Sequence, residues 1–304
     1  MRALIAALIF IILAGCVSAP YRDDYAAHVN TRSEYYAGKD LKFVLAEGSL
    51  VDIRGIYSKD NTSSSSPMMY QGGAGLAGLL AQIGTHASLV NSQRTKKLAA
   101  AQEAANGDIA TLISVAEGID LLALFEQTDS GLISAIDAGA AATDVNIKPI
   151  FFASSAMDQI SLNTIVWIDA EGRSEGDAPT YQNLIQVFSP KLSAQQSERL
   201  ANGDKQLLSS LISSLLDTSL KIAKADLTGQ YVSVSAPDKT YLVEKHFGAK
   251  VVRGAVVDHT CGYDVIRDIH SWFVAHSTEE ASDSSATHAS TGDTGLLQGC
   301  SARG

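Results

Sequence analysis

The strongest constraint on this chain's fold is a change of hydrophobic period along it. Thr111–Glu126 places Leu112, Val115, Ala116, Ile119 and Leu122 on one helical stripe. The period then drops to that of strands. Ile147–Ala153, Leu162–Asp169 and Tyr181–Phe188 are short runs rich in β-branched and aromatic residues, with Ala170-Glu171-Gly172 as a turn. Helical spacing returns in Lys205–Lys224, where Leu208, Leu211, Leu215 and Ile222 line up and Asp204 stands as a cap. Ser193 and Gln196 form a capping-box match just before it. Strand character resumes in Gly229–Ser235, Tyr241–Lys245 and Lys250–Asp258. Tyr263–Ala275 fits either period. Earlier in the chain, Leu41–Ala46 and Leu50–Tyr57 read as two strands joined by Glu47-Gly48-Ser49. Strands and helices that come in blocks, rather than in strict alternation, predict an α+β fold. The expectation is one domain over residues 41–275, a mainly antiparallel sheet with three or more packed helices.

The ends of the chain are of another kind. Arg2 is followed by an unbroken apolar run from Ala3 to Ala14, and then by Gly15 and Cys16. A basic residue before a short apolar stretch has the form of an export signal. Spanning a bilayer takes about 20 apolar residues, more than this run supplies. Leu13-Ala14-Gly15-Cys16 resembles the lipobox of bacterial lipoproteins: a branched apolar residue, two small residues and a cysteine. The resemblance covers the first sixteen residues alone. It implies that residues 1–15 are removed, that Cys16 carries acyl chains such as palmitate, and that the body faces the periplasm. Val17, where an Asp would favour the inner membrane, leans towards the outer one. On this reading residues 16–40 are a tether, with Tyr21, Tyr25, Tyr35 and Tyr36 available to dock on the domain. Residues 276–304 are dominated by Ser, Thr, Asp, Ala and Gly, and are expected to form a disordered polar tail.

Charge narrows the partners. Lys and Arg total 23 against 33 Asp and Glu, a net charge of −10. That balance argues against nucleic acid and against a basic membrane-surface patch. Attachment through the N-terminal lipid suits it better. With Cys16 assigned to lipid, Cys261 and Cys300 remain, either paired in an oxidising compartment or as two thiols.

Met68–Gln93 follows a serine run at Ser63–Ser66 and contains no Lys, Arg, Asp or Glu. From Leu76 to about Ala105 it takes on helical spacing. Small residues let such a helix approach a neighbour closely, so packing within the domain is expected. Its charge-free face is the best candidate for contact with envelope proteins. Gly73-Ala74-Gly75-Leu76-Ala77-Gly78 matches G-x-G-x-x-G in form. The strand before it and the acidic residue about 20 positions later are missing, so no nucleotide site is expected.

The densest polar group is Asp258-His259-Thr260-Cys261 with Asp264, Asp268 and His270. His259, Cys261, Asp264 and His270 are residue types that bind zinc or form a nucleophile–base pair. No second ligand pair has zinc spacing, and the expectation is partly buried strand-end residues with no metal and no cofactor. Ser154-Ser155 lies outside any G-x-S-x-G elbow. Asp169 and Glu171 flank a turn, where carboxylates collect without a catalytic role. The expected function is a non-enzymatic binding or assembly factor of the cell envelope. The alternatives are an envelope hydrolase using His259 or Cys261, and an oligomeric outer-membrane lipoprotein of the secretion type.

Overall fold

The computed structural model describes residues 28–30, 36, 41–46, 48–57, 96–126, 144–169, 179–245, 248–260 and 262–278. Cys16, Met68–Gln93, Gly73–Gly78, Cys261, Cys300 and the tail beyond Thr278 lie outside them. The described residues build a ten-stranded, mostly antiparallel sheet and five helical segments. This is the α+β class expected from the change of period. Among them, no helix is long and apolar enough to cross a membrane.

The sheet is centred on three strands that match the sequence reading closely. They are β4 (Asp144–Ala153), β5 (Ile160–Ile168) and β6 (Tyr181–Phe188), paired antiparallel in chain order. β5 is buried along almost its whole length, as a strand covered on both faces must be. Against it lies the longest helix, α5 (Lys205–Leu227), entered from α4 (Ala194–Ala201). Both expected caps form. The Ser193 hydroxyl accepts from the backbone N–H of Gln196, whose side chain accepts from the N–H of Ser193. Asp204 accepts from the N–H of Leu207. The buried stripe of α5 is wider than the four positions read from sequence, and Leu207, Ile212, Leu216, Leu220 and Ala223 join it. Ser219 is fully buried and donates to the Thr164 hydroxyl of β5 at 2.7 Å, so a serine of this helix faces its own sheet.

Several expectations need correction. β2 (Lys42–Leu45) and β3 (Ile53–Gly55) do not pair with each other. Both run parallel to β4, one beside Asp144–Ile147 and the other beside Phe151–Ala153. The stretch between them is an excursion from one edge, because each has a free stretch of β4 to pair with. Thr111–Glu126 is not one helix but α2 (Ala110–Ala116) and α3 (Leu121–Glu126). They follow α1, which covers 96–108. The break at Glu117-Gly118 lets the N–H of Leu121 reach the carbonyl of Ser49 while Ile119 stays buried. Gly229–Ser235 is no strand. Gly229 takes φ +78° just past the end of α5, and the N–H of Gln230 returns to the carbonyl of Ala225, a left-handed helix stop. Tyr263–Ala275 resolves as two strands, β9 (Tyr263–Asp268) and β10 (Phe273–Ser277), with Ser271 at φ +64° between them.

β6 next pairs parallel with β10, and then come β9, β8 (Gly248–Thr260) and β7 (Lys239–Lys245). This end of the sheet does not continue flat. Gln186, Val274, Ile266 and Val256 form one cross-strand row. Lys250 lies six residues before Val256 on β8, so a flat sheet would hold it roughly 20 Å from that row. Instead the Lys250 ammonium donates to the Gln186 side chain, and Val243 and Val252 pack with Phe188, Ile266 and Val274. The β7–β8 hairpin therefore curls over the second face of its own sheet. The curl starts at Gly254, where an added Cβ would fall 2.1 Å from the Arg267 carbonyl oxygen, and a β-bulge follows at Val256/Asp258.

The N-terminal approach also joins the fold. β1 (Val29–Asn30) pairs antiparallel with Gln182 and Tyr181. Tyr36 is buried and donates its N–H to the carbonyl of Leu227.

Candidate functional site

Two polar constellations stand out among the described residues. The first comes from the sequence reading. His259 and Asp264 face each other across β8 and β9, and the histidine Nδ1 lies 2.6 Å from the Asp264 carboxylate. An ionised Asp264 can only accept, which assigns Nδ1 as the donor in this contact. A carboxylate that orients an imidazole in this way is one half of a general-base arrangement. The His259 side chain is 75% exposed, however, so bulk water surrounds the ring. His276 on β10 also faces Asp264 in register, while its Nδ1 contacts the carbonyl of Ser277.

His270 is not part of this group. It follows the opposite end of β9, where its N–H bonds to Asp268 and its ring lies 5.3 Å from that of Trp272. Asp264 and Asp268 are four strand residues apart, about 13 Å. His259 and Asp264 are thus brought together, His270 is kept away, and Cys261 lies outside the described residues. Among those residues no group of three His, Cys, Asp or Glu side chains gathers as a metal ligand set. Ser154 donates to Asp158 at 2.6 Å and accepts from that residue's N–H, so it closes its own turn. Asp169 accepts from Asn146.

Sequence reasoning missed the second constellation. Asp226 lies in the last turn of α5, where the helix dipole disfavours a negative charge. Its carboxylate accepts from the Tyr181 hydroxyl at 2.6 Å and from the Asn183 amide at 3.2 Å. Burial pushes its acidity towards the neutral form. The two hydrogen bonds, and the charges of His28 and Arg267, pull the other way without cancelling the rise. Beside it, the Tyr231 hydroxyl donates to Asp258, and burial together with that carboxylate raises the phenol far above its usual range. Arg267 donates to the Tyr231 carbonyl. These residues come from β6, α5, the turn after α5, β8 and β9. No local pattern links them; the one sequence clue is an aspartate between Ala225 and Leu227 near the end of an apolar helix. Chemically the group is a buttress that ties the end of α5 to the sheet beside β1. Its carboxylates are taken up by hydrogen bonds from Tyr181 and Asn183 to Asp226 and from Tyr231 to Asp258.

No protein-family model matches this chain, and no curated protein or solved structure matches it.

Proposed function

We propose that this chain is a lipid-anchored protein of the bacterial cell envelope, facing the periplasm from the outer membrane. On this reading it acts by binding other proteins as an accessory or assembly factor. The observation that carries the reading is Leu13-Ala14-Gly15-Cys16 directly after the apolar run from Ala3 to Ala14. Acyl chains on Cys16 hold the protein in place, since one chain binds weakly and two or three bind stably. Met68–Gln93, free of charged residues, is the proposed contact with partner proteins. The test is labelled palmitate incorporation and mass analysis of the mature N-terminus in a bacterial host. Cleavage before Cys16 with acylation is expected, and Cys16→Ser is expected to abolish both. An unacylated N-terminus in the parent chain would overturn the anchor. For the binding role, crosslinking in intact envelopes followed by mass analysis is expected to map partner peptides to Met68–Gln93. A chain that crosslinks to nothing there would remove that part of the reading.

The oriented His259–Asp264 pair favours a second reading, an envelope hydrolase. Turnover of an ester or peptide substrate that is lost in His259→Ala would support it. If the pair is only a surface contact, that substitution changes stability by less than about 1 kcal/mol and no substrate is turned over.

A further inference from the structure

We propose that Asn202-Gly203 is a site of spontaneous deamidation, and that its isoaspartyl product unseats the cap of α5. Two asparagines of this chain, Asn106 and Asn202, precede a glycine, and both stand in the same tripeptide, Asn-Gly-Asp. A glycine has no Cβ, so its backbone nitrogen can approach the preceding side chain. In the reaction the Gly203 nitrogen attacks Cγ of Asn202. The new N–C bond closes a five-membered succinimide, and the side-chain nitrogen leaves as ammonia with the proton from Gly203. Water then opens the ring at one of its two carbonyls. One opening leaves aspartate. The other leaves isoaspartate, whose main chain runs through Cβ and Cγ. The sum is amide plus water to carboxylic acid plus ammonia, with no oxidant or reductant.

The fold treats the two tripeptides oppositely. Asn106 lies inside α1, and its side-chain oxygen accepts from the Gly55 N–H and from the Gln102 amide, each at 2.9 Å. Inside a helix the Gly107 nitrogen is also engaged by the carbonyl four residues back. β3 presses on the same turn, since an added Cβ at Gly55 would fall 2.0 Å from the Ala105 carbonyl oxygen. Cyclisation at Asn106 therefore requires α1 to unwind beneath β3. Asn202 is the exposed C-cap of α4. Two restraints act there. The Gly203 N–H donates to the Leu200 carbonyl at 2.9 Å, and ψ of 5° at Asn202 turns that nitrogen away from its own side chain. Fraying of the last turn of α4 releases both, and helix ends open more readily than interiors.

The product matters because Gly203 alone separates Asn202 from the cap of α5. Asp204 accepts from the Leu207 N–H at 3.0 Å and from Arg199 of α4 at 2.8 Å. Its own N–H donates to the Arg199 carbonyl at 3.0 Å. Isoaspartate adds one main-chain carbon, about 1.5 Å of backbone, inside this corner. Asp204 cannot keep its bonds to both helices when the link between them lengthens. Ordinary aspartate leaves the link unchanged.

The test is peptide mapping of the full chain after incubation in warm, mildly alkaline buffer, with and without urea. Deamidation is read as the mass gain of an amide-to-carboxyl exchange at each asparagine. In urea the two Asn-Gly sites are expected to convert at similar rates. In the folded chain Asn202 is expected to convert about tenfold or more faster than Asn106, because local opening differs between a helix end and a packed helix interior. Equal rates in the folded chain, a faster Asn106, or a folded Asn202 that does not convert would overturn the site. Asn202→Gln keeps an amide but would need a larger ring, and is expected to stop conversion there while Asn106 is unchanged. Conversion that persists in that variant would overturn the succinimide route. The isoaspartyl fraction, separated by ion exchange, is expected to melt about 2–4 °C below the parent and to exchange its Leu207 amide faster. Asn202→Asp carries the charge without the extra carbon and is expected to keep Leu207 protected. An isoaspartyl fraction that protects Leu207 as the parent does would overturn the effect on α5.

Discussion

Asp226 sits where a helix gives a carboxylate least help, and its neighbours hold it there with donors rather than with a close cation. Its shift is upward, so the fold favours the protonated form. Its contribution is fully present below the unfolded carboxyl value, about 3.9, and is lost as pH rises through the higher folded value. Above the folded value the ionised group opposes folding. Asp226→Asn is therefore expected to raise Tm at pH 7 and to flatten the stability–pH curve on its acid side. Chemical denaturation at a series of pH values checks both, and a neutral variant less stable than the parent at pH 7 would count against this account. The same residue shows where sequence reading stops. Its partners Tyr181, Asn183, His28 and Arg267 are remote in the chain, and only strand register brings them together. His259 and Asp264, five residues apart on one hairpin, were legible as a group for the opposite reason. His270 was read with them because sequence proximity cannot reveal that β9 carries it to the far end.

At the scale of elements, the legible parts were those with local rules. β6 was read to the residue, and both caps of the α4–α5 pair were found because a capping side chain and its target lie within three residues. Asp204 is held in its charged form by the Leu207 N–H and Arg199, so its carboxyl pKa lies below the usual carboxylate range. The stabilisation it gives is present above the unfolded carboxyl value and lost as pH falls through the lower folded one. Asp204→Ala is expected to cost about 1 kcal/mol at pH 7 and less in strong acid, measured by urea denaturation. Leu215→Ala, within the buried stripe of α5, is expected to cost about 2–5 kcal/mol at either pH. What failed were elements whose boundaries depend on distant partners. The break after α2 exists to reach Ser49, and β2 and β3 are separate because β4 offers each its own stretch. Gly229–Ser235 has strand-like residues, but a glycine helix stop and a buried Tyr231 fix it as a turn.

For the whole molecule, the strand character of β7 and β8 was readable, but the curl of that hairpin over its own sheet was not. Nothing in Val251-Val252 says which valine faces inward, since both neighbours are apolar. The fold decides it through Gly254, where β8 approaches the Arg267 backbone too closely for any side chain. Gly254→Ala must displace that backbone, and is expected to destabilise by about 1–3 kcal/mol or more. The curl itself is tested by the two valines. Val252 is 3% exposed and packs with Phe188 across the sheet. Val252→Ala is expected to cost about 1–3 kcal/mol and to speed hydrogen exchange through Lys239–Arg253 before β5 or α5 respond. Val251→Ala, one residue away on the outer face, is expected to stay within about 0.5 kcal/mol of the parent. Were the hairpin extended from the sheet rather than folded over it, both valines would stand in solvent and the two substitutions would be indistinguishable. A clear difference between neighbours thus reports the long-range contact that local sequence cannot.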